Sequence, residues 1–93
     1  MGDLDWLKRI AKSNSEILHK EDANGWLPLH EGARAGHVDV VEFLVKSGAA
    51  INRRTNRGAG GTALYFARKS QGKKHPVVKL LESIGALDIG PDL

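Results

Sequence analysis

The sequence predicts an all-α fold, a short solenoid of antiparallel helix pairs joined by hairpin-like loops, and three observations predict it. Leu27-Pro28-Leu29-His30-Glu31-Gly32-Ala33 aligns with Thr62-Ala63-Leu64-Tyr65-Phe66-Ala67-Arg68 at an offset of 35 residues. Val40-Val41-Glu42-Phe43-Leu44 aligns with Val77-Val78-Lys79-Leu80-Leu81 at an offset of 37, and the two matches run on to Gly48-Ala49 and Gly85-Ala86. Between Val38 and Ser47 the apolar residues Val40, Val41, Leu44 and Val45 recur at spacings of three and four, which is the stripe of an amphipathic helix. Similar units at a near-constant period imply stacking, in which each unit covers an apolar face its neighbour cannot bury alone.

Taken in order, residues 1–21 hold a truncated first unit. Gly2-Asp3-Leu4-Asp5-Trp6-Leu7-Lys8-Arg9-Ile10 matches Gly36 to Leu44 at an offset of 34, so only the second helix of that unit remains. Trp6 falls opposite Val40 on the buried stripe and is read as core. Residues 22–54 form the central unit. There Leu29, Gly32, Ala33 and Ala35 suit a short inner helix packed closely against an outer one, and Gly36 ends it because glycine accepts left-handed geometry. The stretch Ala49 to Gly61 contains Asn52, Asn56, Gly58, Gly60 and Gly61, a turn composition read as a projecting hairpin.

Residues 55–89 form the last unit, whose two extra residues fall in the polar turn Gln71 to Lys74. Pro76 suits the first position of a helix over about 76–84, where its missing N–H costs nothing. Glu82 stands in the place of Val45 and turns a core position polar, as a terminal unit with no neighbour requires, so this unit is read as a C-terminal cap with 90–93 as a tail. The expected core is Leu7, Ile10, Leu29, Val41, Leu44, Leu64, Val78 and Leu81.

Composition narrows the function classes. With 93 residues the chain fits one domain, and 41% hydrophobic and 27% charged residues describe a chain that folds. The absence of cysteine removes disulfides, thiolate nucleophiles and sulfur-ligated metal sites, and fits an intracellular, cytoplasmic setting. No apolar stretch approaches a membrane span. Asp3, Asp5, Lys8 and Arg9 stand where a signal peptide needs an apolar run, and Trp6 stands where N-myristoylation needs Ser or Thr. Charge is uneven: residues 1–47 carry a net −2 and residues 48–93 a net +5. A basic half of that kind either steers an acidic partner or is a solvated face that keeps the chain soluble.

The run Asn24-Gly25-Trp26-Leu27-Pro28-Leu29-His30, then Gly36-His37, then Val40 to Leu44, then Gly48-Ala49-Ala50-Ile51-Asn52, resembles an ankyrin repeat, and Asp22 to Arg54 spans its length of about 33 residues. The resemblance covers nearly the whole chain. It implies a non-catalytic module that binds a protein partner through hairpin tips and the exposed side of the inner helices. It also implies a weaker middle repeat, because Leu27 replaces the usual capping Thr at a cost of roughly 1 kcal/mol and leaves His30 less firmly held. In the last unit Thr62 keeps that cap, while Ala63 and Tyr65 replace the family's Pro and His.

On that mapping the first hairpin supplies Asn24 and Trp26, and Arg34 lies at the end of the inner helix. Two readings of Trp26 stand, an exposed aromatic anchor or packing on the next repeat. Arg53, Arg54 and Arg57 on the later hairpin, with Arg68 and Lys69 on the last inner helix, are expected to form a basic groove for an acidic protein segment if the finger and the helix end lie on one side. Nucleic acid is not the expected partner, since no recognition motif or aromatic-basic interleaving is visible. Arg57-Gly58-Ala59-Gly60-Gly61-Thr62 lacks the lysine and preceding strand of a phosphate loop, and reads as a hairpin tip. The four histidines show no metal-ligand spacing, no catalytic constellation is present, and no cofactor is expected. Asn52, after Ile51, sits where some ankyrin proteins meet an asparaginyl hydroxylase. Two further readings are an accessory segment of a longer protein, such as a prolyl-hydroxylase-like oxygenase, and a structural unit that is a monomer or weak homodimer.

Overall fold

The computed structural model describes residues 4–92, so the Gly2-Asp3 end of the first repeat match and Leu93 of the tail lie outside the described residues. Five α-helices occur among them: α1 (Leu4–Ser13), α2 (Pro28–Ala35), α3 (Val38–Lys46), α4 (Ala63–Gln71) and α5 (Pro76–Ser83). Short 3-10 turns at Ser15–His19 and Asn56–Gly58 complete the regular structure. The expected outer helices, the inner helix ending at Gly36 and the helix beginning at Pro76 are all found.

The inner helices α2 and α4 pack on each other to form one layer, and the outer helices α1, α3 and α5 form the second, with α3 against both α1 and α5. Apolar stripes of the two layers meet in a continuous core through Leu29, Ala33, Val41, Leu44, Leu64, Ala67, Val78 and Leu81. Leu7 and Leu18 extend it beneath α1, whereas Ile10 is only half-buried.

Trp6 corrects the sequence reading. It is 57% exposed, while the aligned Val40 is 8% exposed. Val40 is covered by the inner helix of its own unit, where a methyl added at Gly32 would lie 3.2 Å from Val40 Cγ1. Among the described residues no inner helix precedes α1, so nothing covers Trp6 in the same way.

Helix ends are held by local chemistry. Gly36 adopts φ 77°, ψ 24° as the C-cap of α2, and its N–H donates to the carbonyls of Ala33 and Gly32. Thr62 caps α4, its hydroxyl accepting from the Tyr65 N–H. At α2 the Leu27 position offers no side-chain acceptor, yet His30 is firmly held, contrary to expectation. Its Nδ1 accepts the Leu27 N–H at 2.9 Å and its Nε2 lies 2.7 Å from the Arg53 carbonyl. The ring is the cap here, reaching backward from the helix interior to satisfy an otherwise orphaned N–H.

The segment after α5 folds back over the second finger. Thr62 Oγ1 donates to the Leu87 carbonyl at 2.6 Å and accepts from the Ile89 N–H at 3.1 Å, and the Thr62 N–H donates to the Ile89 carbonyl. Asp92 N–H donates to the Ala59 carbonyl, and Asn52 Oδ1 accepts from the Leu87 N–H at 2.7 Å. The tail is therefore a docked strap across residues 52–62.

Candidate functional site

The first finger is built by Asp22. Its carboxylate accepts from the N–H groups of Asn24 at 2.8 Å and Trp26 at 2.9 Å, and its own N–H donates to the Trp26 carbonyl. That is an Asx-type turn, in which an acidic side chain substitutes for backbone partners. The finger delivers the Trp26 ring onto Phe66 of α4, with centroids 4.4 Å apart, and edge-on to His30 at 5.8 Å. The Arg34 guanidinium lies over the same indole at 5.5 Å, a cation–π contact. Asn24, Trp26 and Arg34 thus converge, with Asp22 and Glu31, around a cleft of about 340 Å³. Trp26 is half-buried, packed on the next unit by one part of its surface and lining the cleft with another.

The basic residues of the second finger and of α4 separate into two uses. Arg54 points inward: Nε donates to the Gly60 carbonyl at 2.7 Å, and one terminal nitrogen reaches the Gly90 carbonyl at 3.1 Å and Asp92 Oδ1 at 2.7 Å. Arg68 pairs with both Asp88, at 2.6 Å, and Glu82. The hydrogen bond from Arg68 holds the Glu82 carboxyl below the usual carboxylate range and raises the guanidinium's own pKa. These two arginines engage all three acidic residues of the second half, Glu82, Asp88 and Asp92, which is why they fasten the tail instead of lining a groove.

Arg53 pairs with Glu21 at 3.4 Å, and its carbonyl is the one met by His30. Arg57 is exposed at the tip of the second finger with φ 54°, a left-handed conformation that ordinary residues adopt at a cost. Lys69 is exposed and reaches back over the Tyr65 ring at 5.6 Å. The fingers touch at their turns: Gly25 has φ 76°, and a Cβ there would lie 2.7 Å from the Asn56 backbone nitrogen. Asp22, Glu31 and Phe66 are the participants that sequence reasoning passed over. For Asp22 the signal was an acidic residue two positions before Asn24-Gly25.

Burial lowers the pKa of His30, only partly offset by the Arg53 carbonyl. The Leu27 N–H can only donate, so Nδ1 must be the acceptor and the neutral ring carries its proton on Nε2. Among the described residues no group of three or more His, Asp and Glu could hold a metal ion, and no helix is long and apolar enough to cross a membrane.

Comparison with known proteins agrees with this architecture. Chicken (Gallus gallus) inversin is 39% identical over 82 residues, 86% of this chain and 7% of inversin. Mouse (Mus musculus) 2-5A-dependent ribonuclease is 36% identical over 58 residues, 62% of this chain and 8% of the enzyme, so the chain spans less than a tenth of the length of either relative. A chain from the solved complex of a predatory endopeptidase of Bdellovibrio bacteriovorus with an immunity protein superposes with a TM-score of 0.80 and 31% identity, covering 92% of this chain and 42% of that one. A family model for ankyrin repeats in three copies matches residues 1–90, and the paired helices, capped turns and stacked fingers described above agree with it: the chain belongs to the ankyrin repeat family.

Proposed function

We propose that the chain is a non-catalytic protein-binding module whose contact surface centres on the cleft of Asn24, Trp26 and Arg34. Ankyrin repeats are in general protein-interaction modules, and the observation that supports the assignment to this surface is Trp26, packed at a tilt against Phe66 and met by the Arg34 guanidinium, beside that cleft. An aromatic residue held by packing and topped by a guanidinium loses little further freedom on binding, which is what makes Trp and Arg effective anchors. Arg57, held in a left-handed conformation at the finger tip, and the exposed Lys69 extend the surface with positive charge. An acidic segment of the partner would meet Arg34, Arg53, Arg57 and Lys69, while Arg54 and Arg68 act on the fold. The polypeptide partner in the Bdellovibrio complex fits a binding role of this general kind.

The test is an affinity pull-down from a lysate of source cells with wild type, Trp26→Ala and Arg34→Glu/Arg57→Glu, each verified as folded by circular dichroism. The expected outcome is a protein retained by wild type and weakened at least about tenfold, or about 1.4 kcal/mol, by either variant. Identical retention by all three would sink the assignment.

A further inference from the structure

Arg34 and Lys69 occupy the same position of consecutive repeats, because the inner helices align at an offset of 35 residues. Each cation rests on an aromatic ring. The Arg34 guanidinium lies 5.5 Å from the Trp26 ring centroid, and the Lys69 ammonium lies 5.6 Å from that of Tyr65 and donates to its hydroxyl at 3.3 Å. Tyr65 is in turn backed by the tail, where a Cβ on Gly90 would lie 3.0 Å from Tyr65 Cε1. The two helices run side by side in one direction: Trp26, just before α2, packs on Phe66 near the start of α4, and Gln71 Nε2 at the end of α4 donates to the Arg34 carbonyl at 2.8 Å. Packed helices have axes about 8–10 Å apart, which sets the spacing of the two positions. Arg34 is exposed with α4 beside its helix, and Lys69 is exposed with α2 beside its own, so the exposure belongs to the position and not to an end of the stack. Neither charge is used up within the fold. Glu31 meets Arg34 at 3.5 Å with both side chains half-exposed, a pair worth little in water, and leaves the guanidinium further N–H groups. The acidic residues of the second half are engaged by Arg54 and Arg68.

We propose that Arg34 and Lys69 receive two carboxylates of one protein segment in polyproline II conformation, with Asp or Glu three residues apart. This rests on the binding-module reading and deepens it, because it fixes the partner's acidic register from the repeat step. A polyproline II helix turns once every three residues, so residues i and i+3 point the same way about 9 Å apart, which matches the separation of packed helices. A β-strand turns i and i+3 to opposite faces, and its same-face neighbours i and i+2 are about 7 Å apart, too close to serve both cations. The molecule already holds one acidic, non-helical segment in a related way: in the tail, Asp88 meets Arg68 at 2.6 Å and Asp92 meets Arg54 at 2.7 Å, with Pro91 between them. Two cations fixed by aromatic contacts one repeat apart thus offer a second, unoccupied pair of the same kind on the inner-helix face.

The probe is the peptide Pro-Pro-Glu-Pro-Pro-Glu-Pro-Pro, which proline keeps out of an α-helix, titrated into the isotopically labelled full chain and followed by NMR. Its control, Pro-Pro-Pro-Glu-Glu-Pro-Pro-Pro, has the same composition and charge with the glutamates adjacent. Expected are saturable shifts at Arg34 and Lys69, with a weakening of about fivefold for the control peptide, for Arg34→Gln and for Lys69→Gln, the size of one exposed ion pair. Glu31→Gln should tighten binding by releasing the guanidinium. A double-mutant cycle should couple one glutamate to Arg34 alone and the other to Lys69 alone. All variants lie at exposed positions and are verified by circular dichroism. Absence of saturable binding, or equal affinity for the two peptides, overturns the proposal, the latter showing attraction by net charge without a register. The pull-down with Trp26→Ala reports separately on the binding-module reading: a partner lost by Trp26→Ala and retained undiminished by Lys69→Gln leaves that reading standing and overturns this one.

Discussion

His30 makes two hydrogen bonds that only its neutral ring can make together, accepting at Nδ1 from Leu27 and donating from Nε2 to Arg53. Burial, at 1% exposure, holds its pKa below the ordinary 6.5. The unfolded chain therefore takes up this proton near pH 6.5 and the folded chain only at lower pH. The stability His30 contributes is complete above about pH 6.5 and is lost as pH falls from there through the folded value. The thermal midpoint should drop between pH 7 and pH 5, by about 4–8 °C for each kcal/mol lost, and His30→Gln should flatten that slope while lowering stability throughout. A midpoint unchanged over this range in wild type would show that the ring does not need to be neutral. Among single residues, His30 was legible as a structural position of the repeat, but its strength was not, because the Leu27 substitution suggested a missing cap and the ring's second partner lies 23 residues away. Trp6 failed for a related reason: a helical stripe says which side is apolar, and only a neighbouring helix decides whether that side is covered.

The helices were readable because periodicity, Pro28, Gly36, Thr62 and Pro76 are local signals that agree with one another. The strap formed by the tail was not, because Gly85 to Asp92 has a loop's composition and its partners lie 20 to 38 residues away. Thr62 joins the two kinds of signal, a local cap that also ties down Leu87 and Ile89. Thr62→Val keeps the shape, removes the hydroxyl and leaves the Leu87 carbonyl and Ile89 N–H without it. The expected loss is about 2 kcal/mol, read in urea as a lower midpoint with the slope unchanged. A loss below about 0.5 kcal/mol would mean that the strap contributes little to the folded state. The same logic accounts for the divided arginines: sequence placed Arg54 and Arg68 among the basic residues, and only the fold brings the tail's acids to them.

Across the whole molecule, 37 × 27 × 22 Å, burial is graded along the stack. The α1 helix buries Leu7 alone, while α2 and α4 are locked to each other and α5 buries Val77, Val78 and Leu81. Regions with few buried apolar groups open at low free energy. Amide hydrogen exchange should therefore release α1 first, at least tenfold faster than α4. Equal protection of the two helices would contradict a graded stack and indicate a single cooperative unit. The two ends of the stack differ in chemistry as well. One presents Trp6 over an apolar cleft, and the other carries the Arg68–Glu82–Asp88 ion pairs and the strap. A heterologous contact grows into a fibre only when each copy offers both halves of a complementary pair. Between copies of residues 4–92 an apolar face would meet a charged one, so the two faces do not supply the complementary pair that head-to-tail growth needs.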